Sequence, residues 1–496
     1  VITIFGKRFF KRQPDDENKE TKDFSQRRIP SSISESEKLV KSIFNNSTDV
    51  IAQSIETKRG DALLVYIDGL VNKDITDRDV ITPLKSRDFD GNFALALKAG
   101  YKTIEDVATF VNEVVNGNVA IFHQNSREII IVDFKQWDRR AVESPDSEAV
   151  IRGPKEGFTE NIRTNTSLIR RKIKNPNLIF ENIILGRQTN TIVELVYING
   201  IVNRDVLREL KRRISKIDTD SILESGHIEQ YIEENPLSPF SCMGVTQKPD
   251  IVAERILEGR VAVLCDGTPH VLTIPEMFME NIHTGEDYYN RTLLSTITRI
   301  FRIIGLTITV MLPGVYVAVT TYNQEMVPPV LLNSIITSSQ KTPMPAAAEL
   351  FLMILMFELL KEAGTRLPKA VGSAITIVGS LIIGEAAVNA GIVSAPMVIV
   401  VALTAVTGFI MPNLNEFIII YRFVFLLFGS TMGLVGIGSG IFIMLTQLIS
   451  ADSFGIPILS SFSKNEMKNA VLRFPLWSLK YRPSSIAKDN IKRRGE

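Results

Sequence analysis

IFRIIGLTITVMLPGVYVAV, residues Ile300 to Val319, is where the chain changes solvent. Its length matches the roughly 20 apolar residues that carry a helix across the hydrocarbon of a bilayer. Before Leu293 the sequence is mostly polar and charged; after it come further apolar stretches, Ala346 to Leu360, Ala370 to Val388, Pro396 to Met411 and Phe417 to Ile449. Ala346 to Leu360 and Pro396 to Met411 fall short of the usual minimum of about 17 residues. The last run is long enough for two spans folded at its central glycines. A formal net charge of +1 and a hydrophobic content of 45% conceal this division, because they average two unlike parts. The expected fold class is therefore α/β plus a multi-span α-helical membrane domain.

Loop charges suggest an orientation. Arg291, Arg299 and Arg302 are taken to precede the first span, Lys361, Arg366 and Lys369 lie between the second and third, and Lys464, Lys468, Arg473, Lys480 and Arg482 follow the last. Thr320 to Pro329 carries Glu325 and no Lys or Arg. The positive-inside bias then puts the soluble part, the Lys361 loop and the C-terminal tail in the cytoplasm. Both ends inside require an even number of crossings, six or else four with re-entrant or interfacial segments. Val330 to Gln340 is too polar to span and reads as an interfacial helix. Val1 to Phe5 is too short an apolar run before Lys7 and Arg8 for a cleavable signal.

The soluble part contains a repeat. LLVYIDGLVNKD (Leu63 to Asp74) and ELVYINGIVNRD (Glu194 to Asp205) are identical at eight of twelve positions, 131 residues apart from Tyr66 to Tyr197. VVNGNVAIF (Val114 to Phe122) and ILEGRVAVL (Ile256 to Leu264) form a second match, offset by 142 from Gly117 to Gly259. Duplication of one α/β unit, with an insertion in the second copy, accounts for both. In each copy a strand ends in Asp-Gly or Asn-Gly. A helix then follows, begun by a capping box at Thr103 with Asp106 or by Pro249, and stopped at Gly117 or Gly259. Paired strands complete the unit, Val119 to Phe122 with Glu128 to Phe134 and Val261 to Leu264 with His270 to Ile274, the second pair turning through Cys265 to Thr268.

No catalytic or metal-ligating constellation emerges, and no cofactor is implied. His123, His227, His270 and His283 lack ligand spacing, and neither a phosphate-binding glycine loop nor a nucleophile elbow is present. Cys242 and Cys265 read as buried free thiols in a reducing compartment. The RRKIK run at Arg170 to Lys174 fits a solvated helix face or a subunit contact better than a phosphate or lipid headgroup site.

Function is expected in the apolar part. Within Ala370 to Val388, Gly372, Ser373, Thr376, Gly379, Ser380, Ile383, Gly384 and Ala387 share one helical face of roughly 140°. Such a small-residue face packs against a neighbouring helix or lines a water-filled path. Ile383, its one bulky side chain, is suited to a hydrophobic gate. The pore and gate candidates are Gly372, Thr376, Gly379, Ser380 and Ile383. Glu349, Glu358, Glu385 and Arg422 are intramembrane ionisable groups, and each must face protein or water. Glu358 lies near a span end and can snorkel. Glu385 sits opposite the small face, towards another helix of the same subunit, with Arg422 as a possible structural partner and ion conduction as the alternative. Gly429 to Gly433 and Gly436 to Gly440 are successive GxxxG patterns, which signal close helix contact.

Several longer motifs occur in one order: SPFSCMGVTQKPDIVAERILEGRVAVLCDGTPHVLTIPEMF (Ser238 to Phe278), EDYYNR (Glu286 to Arg291), FELLKEAGTRLPKAVGSAITIVGSLIIGEAAVNAGIVS (Phe357 to Ser394), SFGIP (Ser453 to Pro457) and LRFPLW (Leu472 to Trp477). Together they resemble the A subunit of the GerA-type bacterial spore germinant receptors, from about residue 40 to Pro483. The resemblance implies a subunit of a nutrient receptor in the spore inner membrane that triggers germination, not an enzyme. It implies partners too: a transporter-like, germinant-binding B subunit, a C-subunit lipoprotein, further copies of the chain and membrane lipid, with no nucleic acid. An oligomeric ligand-gated cation channel is the mechanism implied. A non-conducting scaffold that relays a signal is the alternative, and a secondary transporter fits less well because the apolar spans show no inverted repeat. The expected division is a mobile polar arm over 1–38, α/β subdomains over 39–150 and 181–290 joined by 151–180, a transmembrane domain of four to six spans over 291–450, and a cytoplasmic tail over 451–496.

Overall fold

The structure is a computed structural model that describes residues 28–57, 60–86, 100–135, 148, 152–366, 379, 382–459, 469, 471–488 and 490–493. Alternation of side chains along Ala62–Ile67 sets the first unit. Leu63, Val65 and Ile67 face one hydrophobic cluster and Ala62, Leu64 and Tyr66 the other, all buried. This central strand, β2, pairs with β1 (Val50–Ile55) and β4 (Val119–His123), and β5 (Ile129–Val132) and β3 (Tyr101–Ile104) complete the sheet in the order β1-β2-β4-β5-β3. Helices α1 (Ile33–Ile43) and α2 (Val107–Val115) cover one face.

The second unit repeats the order. Strands β6 (Leu178–Leu185), β7 (Thr191–Ile198), β8 (Gly244–Thr246), β9 (Val261–Cys265) and β10 (Val271–Ile274) assemble as β6-β7-β9-β10-β8. Every pairing in both sheets is antiparallel. Helices α3 (Ile162–Lys172) and α6 (Pro249–Leu257) cover one face, and α4 (Arg204–Ile214) and α5 (Ser225–Ile232) the other. Gly117 and Gly259 close their helices with φ of +89° and +103°, as the sequence suggests.

Local details differ from the sequence reading. Thr103 lies in β3, and the cap of α2 is Asp106, whose carboxylate accepts from the Thr109 amide at 2.8 Å. Helix α1 begins at Ile33, inside the stretch read as a polar arm; residues 1–27 lie outside the described residues. Helix α3 and the start of β6 fall within the expected connector and belong to the second unit. Arg170, expected on a solvated face or at a subunit contact, is fully buried where the two units of the same chain meet. Its guanidinium donates to both Asp49 oxygens, at 2.8 and 2.9 Å, and to the Leu178 carbonyl.

Beyond the sheets, the chain is helical: α7 (Thr292–Thr321), α8 (Pro329–Ser339), α9 (Ala346–Thr365), α10 (Ala395–Gly408) and α11 (Asn415–Ser450). Among the described residues, two helices, Thr292–Thr321 and Pro412–Ser450, are long and apolar enough to cross a membrane. Helix α11 breaks at Gly433, with φ +61° and ψ −142°, and doubles back. The Tyr421 hydroxyl therefore bonds Gln447 Oε1 at 2.6 Å, although 26 residues of straight helix would separate them by ~39 Å. The expected fold at the central glycines is borne out.

Candidate functional site

Close backbone approach organises the helical region. A Cβ on Gly314 would strike the Phe425 carbonyl, one on Gly429 the Gly314 carbonyl, and one on Gly440 would come 2.9 Å from the Phe425 ring. Helix α7 thus lies against the first arm of α11, and the second arm packs on the first. At their far end, Tyr322 donates its hydroxyl proton to the Ser430 carbonyl and Asn323 Oδ1 accepts from the Leu434 amide.

The ionisable groups pair differently from the sequence reading. Arg422 donates to Glu358 at 2.6 Å and to the Thr309 carbonyl at 3.2 Å, so its partner is Glu358 rather than Glu385. Glu358 is accordingly an ion-pair member and not a snorkelling end group. Arg422 on α11 is thereby tied to both α9 and α7, and one helical turn along α9, Lys361 bonds Asn415. Glu349 is buried, accepting from the Ser394 amide at 3.0 Å and from the Thr342 hydroxyl. Glu385, expected against another helix of its own subunit, is exposed beside exposed Ile382.

Gly372, Thr376 and Ser380 of the gate candidates lie outside the described residues, as does Ser373. A Cβ on Gly379 would meet Leu360 at 3.6 Å and one on Gly384 would meet Val398 at 3.0 Å. These two members of the small face therefore pack on α9 and α10 of the same chain. Ile383 is half-buried.

Beneath the helices sits a charged joint that sequence reasoning missed. Asp287 accepts from Arg299 and Arg302, each at 2.9 Å, while Arg473 reaches the Asp287 carbonyl and stacks 4.5 Å over Tyr288. Burial alone would raise the Asp287 carboxyl, but the bonds from Arg302 and Arg299 hold it below the usual carboxylate range. Three arginines that sequence counting treats as free cytoplasmic charge are thus spent on a structural contact; the EDYYNR motif was the available signal.

The segment after α11 is not a loose tail. Asp452–Ser453 and Ile456–Pro457 form a small hairpin whose Phe454 and Ile456 enter the core of the second unit, with Arg213 stacked 4.3 Å over the Phe454 ring. Ile486 is buried in the same core, Asn203 Nδ2 donates to its carbonyl at 2.9 Å, and Lys488 pairs with Asp205 at 2.7 Å. A cavity of about 700 Å3 lies between this strap, α6 and the α10–α11 connection, with Glu254, Arg302, Asn413 and Arg493 on its walls. Burial, with Glu258 adding, pushes the Glu254 carboxyl up to about 7.

Cys242 and Cys265 are buried free thiols that burial pushes up to about 12, which leaves them unreactive. His270 contacts Gln247 at 3.2 Å, and His227 Nδ1 accepts from the Leu223 amide.

A duplicated α/β domain is thus latched by ion pairs and a returning strap to an apolar helical region. The Bacillus/Clostridium GerA spore germination protein family matches residues 38–485. Spore germination protein KA of Bacillus subtilis is 41% identical over 467 residues, covering 91% of this chain and 86% of its own length. Spore germination protein GerLA of Bacillus cereus is 37% identical over 437 residues, covering 85% and 89%. The crystal structure of the N-terminal domain of the A subunit of the Bacillus megaterium spore germinant receptor GerK3 is 31% identical, covers 51% of this chain and 98% of that domain, and superposes with a TM-score of 0.40. The chain belongs to the GerA spore germination family, a family of germination proteins and not of enzymes.

Proposed function

We propose that the chain is the A subunit of a nutrient germinant receptor in the spore inner membrane, crossing it six times with the α/β domain and the strap on the cytoplasmic side. The α11 hairpin carries the crossing number. Helix α7 leads away from the α/β domain at Asp287, and the second arm of α11 returns to it at Asp452, where Cys242 Sγ lies 3.2 Å from the Asp452 carbonyl. Between them, Glu349 at the start of α9 bonds the start of α10, and Lys361 near the end of α9 bonds the start of α11. Helices α9 and α10 therefore both run back towards the α/β domain, which requires one outward pass in chain order between them. A single cysteine at Asn323 is expected to react with an impermeant thiol reagent from outside, and one at Lys480 only after permeabilisation; the reverse pattern would end this orientation.

In this reading copies of the chain surround a cation path, with a transporter-like B subunit presenting the germinant signal and a lipoprotein C subunit completing the receptor. Ile383 is the gate. The second reading, a non-conducting relay, is favoured by the packing of Gly379 and Gly384 within one chain. Purified chain in liposomes separates them. Ile383→Ser raises basal cation leak under the channel reading and Ile383→Phe keeps it closed; unchanged leak at equal abundance favours the relay.

A further inference from the structure

Helix α7 is longer than a membrane needs. Its 30 residues span ~45 Å, whereas about 20 suffice for the hydrocarbon. The surplus lies at its N-terminal end, because Arg299 and Arg302 are bonded there to Asp287 of the α/β domain. These surplus turns are not polar outside. Leu293 is 75% exposed, and Leu294 and Ile297 are exposed beside it, forming one stripe with Ile300, Phe301 and Ile304 further along the helix.

The strap adds to this stripe. The Arg473 amide donates to the Thr296 hydroxyl at 3.1 Å, which tethers the strap to the first turns of α7, and beside this tether Leu472, Leu476 and Trp477 have exposed side chains, Trp477 at 68%. Arg291 and Lys480 are exposed at its margins. A tryptophan set among leucines and flanked by cations is the composition of a membrane boundary, where an amphipathic ring sits between acyl chains and headgroups. Continuity decides the occupant. The stripe runs unbroken into the part of α7 that meets lipid, so the same bilayer covers both.

The geometry points to Leu293, Leu294, Ile297, Leu472, Leu476 and Trp477 as an interfacial anchor seated in the headgroup boundary of the leaflet facing the α/β domain. The anchor rests on the membrane reading of the preceding subsection. It fixes the height of the domain: the residue that latches it, Arg473, also contacts Asp287 and Tyr288, so displacement of the strap from lipid would be felt at the charged joint.

Trp477 reports on itself, since the only other tryptophan is Trp137. The full chain carrying Trp137→Phe is reconstituted in vesicles containing lipids brominated close to the headgroup. Most of the Trp477 emission is expected to be lost to these lipids, and little to aqueous iodide. Quenching by iodide and not by lipid would overturn the anchor, as would protection from both, which would mean that a second copy or another protein covers the face. If Trp137→Phe fails to fold, the difference in quenching between the unsubstituted chain and Trp477→Phe gives the same reading. Failure of the membrane reading shows separately, as release of the chain from vesicles by alkaline carbonate.

Discussion

The two α/β units share a sheet order and a central strand motif, yet they differ in where their cores come from. Among the described residues, the clusters of the first unit draw only on positions from Ile29 to Phe134. The second takes Phe454, Ile456 and Ile486 from beyond the apolar helices. One copy is closed on itself and the other is completed by chain that has already passed through the helical region. A duplicated fold has thus been divided between two tasks, with the second unit bound mechanically to the helices and the first attached to it at Asp49 and Arg170.

That attachment is where the largest effect is expected. Arg170→Ala strands the Asp49 carboxylate in a fully buried site, and breaking such a pair costs about 3–5 kcal/mol. Because the pair belongs to both units, thermal unfolding of the full chain in detergent should show both destabilised. Loss confined to one unit would mean that the joint is not shared.

Ile486→Ala tests the borrowed core. It should cost about 3 kcal/mol, the usual range for deleting a buried isoleucine side chain being 2–5. Hydrogen exchange should quicken in β7, β9 and α4 while β2 and β4 keep their protection. Equal loss in both units would show them to be one cooperative body and would erase the contrast.

The contrast also marks what could be read from sequence. The duplication was legible because its signal is local: a period-two strand, a Gly-terminated helix and a turn, repeated at nearly constant spacing. The fold at the central glycines of α11 was legible for the same reason. The strap was not. Ile486 sits in a polar stretch, RPSSIAKDN, with no periodicity to mark it as core, and its partners lie some 280 residues earlier. Arg422 had two carboxylates within plausible reach, Glu358 and Glu385, and helical phase alone could not choose between helices whose order in space was unknown. The same limit hid Asp287, which is held by arginines from two separate segments, Arg299 and Arg302 on α7 and Arg473 in the strap.

A smaller effect should follow from the one position where the central strands differ most in chemistry. The repeat aligns Leu63 with Glu194, and both are fully buried. Burial pushes the Glu194 carboxyl from 4.5 up to about 7, against the Thr166 hydroxyl and Arg163, which pull it down. A carboxyl raised on folding contributes its full stability below its unfolded value and loses it as pH rises towards the folded one. Stability of the second unit should therefore fall by up to ~3 kcal/mol between about pH 4.5 and 7. Glu194→Gln should flatten that window and be the more stable form at pH 8. A wild-type profile without the decline would show that Glu194 is not held protonated.

The smallest effect separates the helices α2 and α6, which occupy equivalent places in the two units but start differently. Asp106 caps α2 through the Thr109 amide and hydroxyl, whereas α6 has Lys248 at its cap position, makes no side-chain cap, and relies on Pro249 in its first turn. Asp106→Ala should cost about 1 kcal/mol, the usual value of an N-cap. Lys248 runs the other way. Its ammonium is buried with no hydrogen-bond partner among the described residues, and its one carboxylate, Asp250, is 3.7 Å away. Replacing both partners, Lys248→Met with Asp250→Asn, removes the buried charges and leaves Tyr289 an oxygen to donate to, so the double substitution should be neutral or stabilising. The changes at equivalent helix starts should move the melting temperature in opposite directions or only Asp106→Ala should move it. A loss at the double substitution as large as that at Asp106→Ala would mean that the ion pair stabilises this helix start, and that the two units begin their helices by equally polar means.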